Sequence, residues 1–104
     1  MNIKEERIII NELIKIGELQ AKILAVDIEP IVLDEVVSEI VGKRMYLKCL
    51  SKGIITKEEF ANVMLAHFQT SICFNGNVVN PKVLPDYSEL SLKIIRLVSP
   101  YAIH

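Results

Sequence analysis

The stretch Lys52-Gly53-Ile54-Ile55-Thr56-Lys57-Glu58-Glu59 decides the fold of this chain, because it stops one helix and starts the next. Gly53 offers the left-handed residue that closes helices. Thr56, with Glu59 three positions on, forms a capping box for the helix that follows. Upstream, over about residues 31–51, Leu33, Val36, Val37, Ile40, Val41, Leu47 and Leu50 hold helical spacing. Asp34, Glu35 and Glu39 come early in this segment, and Lys43, Arg44, Lys48 and Lys52 come late, as the helix dipole favours. Downstream, Phe60, Ala61, Val63, Met64, Leu65, Ala66 and Phe68 are apolar nearly all round, which predicts a deeply buried helix starting at Lys57. A tight αα-hairpin is therefore expected at the centre of the protein.

Working outward, residues 3–26 also read as a helix, with Asn11, Lys15, Glu18 and Lys22 on one polar strip. Its apolar residues fill two neighbouring faces. One carries Ile10, Leu13, Ile14, Gly17, Ala21 and Leu24, and the other carries Ile9, Ile16, Leu19, Ile23 and Val26. Such a helix must be covered on both sides, either by running through the middle of a bundle or by meeting another molecule. Gly17 in its interior is compatible with a close helix crossing. Asp27-Ile28-Glu29-Pro30 reads as a break. At the far end of the third helix, residues 70–74 either continue to a cap at Gly76 or pair with residues 77–79 through Asn75-Gly76. A loop with two prolines follows over 80–85. Asp86 and Glu89 then introduce a last helix bearing Tyr87, Leu90, Ile94, Leu97 and Val98 on one face, ended by Ser99-Pro100. The expected fold is all-α: one small four-helix, bundle-like domain over residues 1–104, with a short β-hairpin near 72–79 as the alternative.

Composition agrees. In 104 residues there are sixteen Ile, eleven Leu and ten Val but no Trp, so the interior is aliphatic and large enough for one domain. Charged residues at 24% exclude a low-complexity chain, and a net charge of −1 gives no global attraction to nucleic acid or to an acidic membrane. Cys49 and Cys73 are too few for a disulfide framework and fit a reducing cytoplasm. Glu5, Glu6, Arg7 and Glu12 interrupt the start, so no export is predicted. The longest stretch without Asp, Glu, Lys or Arg, residues 60–81, carries too many amides to cross a bilayer. The excess of Ile, Lys and Asn suits an AT-rich genome, such as that of a low-GC bacterium, phage or mobile element.

Met45-Tyr46-Leu47-Lys48-Cys49-Leu50-Ser51-Lys52-Gly53-Ile54-Ile55-Thr56-Lys57-Glu58-Glu59-Phe60 resembles the SHOCT-type short helical hairpin, a leucine-bearing helix followed by Gly-x-Ile-Thr-x-Glu-Glu-Phe. The resemblance implies oligomerisation or docking onto a partner and brings no catalytic residues.

Residues that could carry chemistry are sparse. His67 and His104 have no partner in sequence, and Cys49, His67 and Cys73 lack the clustered spacing of a zinc site. On one helix, Cys73 and His67 would point about 120° apart, which disfavours a nucleophile pair. The four glycines are scattered singly, so neither glycine-rich phosphate signature is present. Glu5-Glu6, Asp34-Glu35 and Glu58-Glu59 all sit near helix starts, where they complement the dipole. The expectation is no enzyme, no cofactor and no metal.

Charge is nevertheless polarised. Residues 1–39 hold nine acids and four bases, whereas 40–57 hold five bases and no acid. Arg44, Lys48 and Lys52 fall at i, i+4 and i+8, a stripe that could meet phosphate backbone or an acidic protein face. The expected function is that of a small cytoplasmic protein-binding regulator or adaptor, self-associating through apolar helix faces. Ile9, Ile16, Leu19 and Ile23 are the expected partner face, with Arg44 and Lys48 as electrostatic steering. Nucleic-acid binding through the basic stripe at 43–57 is the alternative.

Overall fold

The computed structural model describes residues 2–44, 46–80, 82 and 85–102, with 42–44 described by backbone alone. Among them are five α-helices, one 3-10 turn and two very short strands, so the all-α expectation holds.

Helix α1 (Ile3–Ile23) starts where the Asn2 side chain accepts a hydrogen bond from the Glu5 N–H at 2.8 Å, with Glu5 and Glu6 in its first turn and Lys22 in its last. It buries Ile9, Ile10, Leu13, Ile16, Gly17, Gln20 and Ala21, an arc wide enough to meet several partners. Helices α2 (Pro30–Arg44), α4 (Lys57–Asn75) and α5 (Ser88–Val98) all pack on it. Most of both apolar faces is thus covered from within the chain, with Leu19 left exposed.

The Gly17 expectation is met. A β-carbon there would stand 3.2 Å from Leu33 Cδ1 and 3.5 Å from Val37 Cγ2, which marks the close crossing of α1 and α2. The chain leaves α1 through Ala25, whose φ of 54° is left-handed, an unusual state for a residue with a β-carbon. Pro30 then occupies the first position of α2, where its missing N–H costs nothing.

The segment expected as one helix over 31–51 is described as α2, up to Arg44, and α3 (Tyr46–Ser51), with Met45 between them outside the described residues. Helix α3 packs against both α2 and α4 and buries Leu47 and Leu50. It closes in a Schellman motif: the Ile54 N–H donates to the Cys49 carbonyl at 2.9 Å and the Gly53 N–H to the Leu50 carbonyl at 3.1 Å, with Gly53 at φ 71°. The capping box follows at once, Glu59 N–H to Thr56 Oγ1 at 3.1 Å and Thr56 N–H to Glu59 Oε1 at 3.2 Å.

Helix α4 continues to Asn75, and the hairpin alternative at 72–79 is not formed. Strand β2 (Asn77–Val78) instead pairs antiparallel with β1 (Val26–Asp27), in register Val26↔Val78 and Asp27↔Asn77. Gly76 is required at this joint, because a β-carbon would collide with Val26 Cγ1 and come within 2.9 Å of the Ile72 carbonyl oxygen. Before α5, Asp86 Oδ1 accepts from the Ser88 N–H at 3.0 Å and from its hydroxyl at 2.6 Å. Leu90, Ile94 and Val98 form the buried face of α5, which passes into a 3-10 turn at Ser99–Tyr101.

Candidate protein-docking surface

The residues expected to face a partner do not share one surface. Ile9 is wholly buried and Ile16 is 7% exposed, both in the chain's own core. Ile23 is partly buried and packs against that core, and Leu19 is exposed at 39%. The expected Ile9–Ile16–Leu19–Ile23 face is therefore corrected: α1 runs through the middle of the bundle, so only Leu19 of the four is free. Of the basic stripe, Arg44 is the last described residue of α2, Lys48 lies on α3 and Lys52 in the turn after it, with Met45 outside the described residues. The Arg44 side chain lies outside the described residues; Lys48 and Lys52 are exposed. Lys48 lines a small cleft of about 230 Å³ together with Glu6 of α1, so its acidic neighbour belongs to the same molecule.

Candidate chemical groups are equally scattered. His67 Nε2 lies 3.0 Å from the Tyr46 hydroxyl, a polar tie between α3 and α4. His104 lies outside the described residues. Cys49 and Cys73 are free thiols, the first partly buried and the second exposed. Among the described residues no group of three His, Cys, Asp or Glu is placed to hold a metal ion, and no helix is long and apolar enough to cross a membrane.

One buried polar pair went unread in the sequence. Gln20 is wholly buried and its amide donates to the Leu65 carbonyl of α4 at 3.0 Å. Its Oε1 and the Tyr87 hydroxyl are both buried without an aligned hydrogen bond. They are nonetheless neighbours. Burial pushes the Tyr87 phenol above its ordinary pKa, and the proximity of Gln20 offsets part of that rise. Tyr87 also lines a shallow groove of about 440 Å³ between α4 and α5, with Asn62, Leu65, Ala66, Gln69, Ser88 and Ser91, none of them charged.

The exposed oily residues supply the clearest site. Ile3, Ile8 and Leu19 are on α1, and Ile31, Ile54 and Leu92 lie singly on α2, in the turn after α3 and on α5. Phe74 at the end of α4, Val78 on β2 and Val79 just after it lie within six positions, exposed by 87%, 52% and 70%. This corner is held from below: the Ala25 carbonyl accepts from the N–H groups of both Val79 and Asn80, and Gly76 lets β2 approach Val26 closely. The backbone of β2 is half used. In an antiparallel ladder the Val26↔Val78 pair lies between the bonded pairs, so Val78 turns its N–H and C=O away from β1, and no other strand pairs with that edge among the described residues.

No family model, curated protein or solved structure matches this chain. The sequence carried one sign of the corner, the uncharged stretch 60–81, but helical patterning alone does not show that Phe74 faces outward while Phe60 and Phe68 face inward.

Proposed function

We propose that this chain is a small protein-binding subunit, of regulatory or adaptor type, that docks a partner on the corner made by Phe74, Val78 and Val79. The supporting observation is Phe74, a large aromatic side chain 87% exposed at the end of α4, followed within five positions by two exposed valines and by a strand paired on one edge only among the described residues. Aromatic residues standing free on a rigid support are the anchors that interfaces use, and grouped apolar exposure of this kind marks interaction surfaces. Lys48, exposed on α3, adds steering charge rather than contact area. The local likeness of α3 and its turn to the SHOCT-type hairpin points the same way, toward docking rather than catalysis.

The test is quantitative capture from the source cells with the intact chain and with Phe74→Ser/Val79→Ser as paired baits, followed by titration of any differential protein in purified form. A purified partner that binds the natural chain and is weakened at least tenfold by the double substitution supports the proposal. Equal binding by the two baits overturns it.

A further inference from the structure

Resting on that docking surface, we infer that its occupant is a second copy of this chain, joined by antiparallel pairing of β2 with β2 across a two-fold axis centred on Val78. An open strand edge seeks another strand, and an antiparallel edge can satisfy itself. If Val78 faces Val78 of the other copy, each donates its N–H to the other's carbonyl, and Asn77 of each faces Val79 of the other. The contact uses the same patch on both molecules, as closed dimers do.

Charge favours this occupant. A surface that meets its own copy carries its own net charge to the contact, so a patch without charges meets no like-charge repulsion. Residues 60–81 contain no Asp, Glu, Lys or Arg, and they supply Phe74, Val78 and Val79 along with the amides Asn75, Asn77 and Asn80 at the rim. The acid paired with this corner is Asp27 on β1. In the joined sheet β1 and its copy are three strand spacings apart, about 14 Å. That exceeds the screening length of about 8 Å at physiological salt. The pairing is short, so the dimer is weak and concentration-dependent. Phe74 and Val79 flank the paired strands and add the apolar cover that two backbone hydrogen bonds alone do not provide.

The experiment is sedimentation of the full chain from low micromolar to near-millimolar concentration, with three variants. Val78→Pro removes the outward N–H without touching a β1–β2 bond; it is expected to be monomeric with an unchanged helical circular dichroism spectrum. Phe74→Ser is expected to weaken the dimer. Independently of whether Val78→Pro folds, Val78→Cys in a Cys49→Ser/Cys73→Ser background is expected to form an intermolecular disulfide on mild oxidation. Directly opposed residues of a bonded antiparallel pair lie about 5.5 Å apart at Cα, inside the range a disulfide bridges. Leu92→Cys, exposed on α5, controls for random collision and is expected to cross-link slowly.

A natural chain that stays monomeric throughout, or a dimer that survives in folded Val78→Pro, overturns the inference. So does Val78→Cys cross-linking no faster than the Leu92→Cys control. In the first case, a purified partner sensitive to Phe74→Ser/Val79→Ser would leave the docking surface standing with a different occupant, which separates the two failures.

Discussion

At the scale of single residues, backbone geometry decides more here than side-chain chemistry. Gly76 has an ordinary extended backbone, so its glycine is required by contact and not by conformation. Alanine at this position would push against Val26 Cγ1, a stiff branched side chain in the core, and against the Ile72 carbonyl. Gly76→Ala is expected to destabilise the protein by about 1–3 kcal/mol, as overpacking does, measurable by urea denaturation. Gly17 differs, because its nearest neighbour is the flexible tip of Leu33. There the gain in helix propensity opposes the crowding. Tyr87 offers a test of opposite character. Its hydroxyl is buried without an aligned partner, so Tyr87→Phe is expected to change stability near neutral pH by less than about 1 kcal/mol. Because burial raises its pKa, the folded chain holds this proton more tightly than the unfolded chain. The associated stabilisation is present below the unfolded-state value and is lost as pH rises through the folded-state value. The phenylalanine variant should therefore show a shallower loss of stability on the alkaline side, read from thermal unfolding as a function of pH.

At the scale of elements, the parts legible in the sequence are those with local causes. The turn at 52–59 was readable because a left-handed glycine and a capping box each act within a few residues, and both form as expected. Removing the cap should cost what such caps contribute: Thr56→Ala is expected to lower stability by about 1 kcal/mol, since the Glu59 N–H loses its acceptor. Thr56→Ser should restore most of it, and chemical denaturation of the three proteins checks both. The elements that escaped prediction depend on distant partners. Strand β1 pairs with β2 half a chain away, and two-residue strands carry no periodicity from which to infer a register. Leu33 through Leu50 keep one helical spacing over α2 and α3, as the sequence suggests. The partner face was misassigned for a related reason. Periodicity showed that α1 had two apolar faces, but whether the second met another molecule or another helix depended on how α5 folds back.

At the scale of the whole molecule, the distribution of apolar residues separates what holds the fold from what is available for binding. Phe60 and Phe68 are completely buried on α4, while Phe74 on the same helix is almost completely exposed. If the exposed corner serves interaction alone, its removal should leave the fold unharmed. Phe74→Ser/Val79→Ser is expected to alter unfolding free energy by no more than about 0.5 kcal/mol, because side chains already in water lose little burial. Phe68→Ala should cost about 3–5 kcal/mol by opening a cavity in the core, where Phe68 is wholly buried. The contrast between the two is the informative quantity, and it is read from denaturation midpoints at low protein concentration, where association contributes nothing to apparent stability. Should the surface double substitution cost as much as the core one, Phe74 and Val79 would be supporting the bundle rather than standing free. Raising the protein concentration then adds a second reading. The natural chain should gain stability by mass action if its corner pairs in the folded state, and the double variant should not.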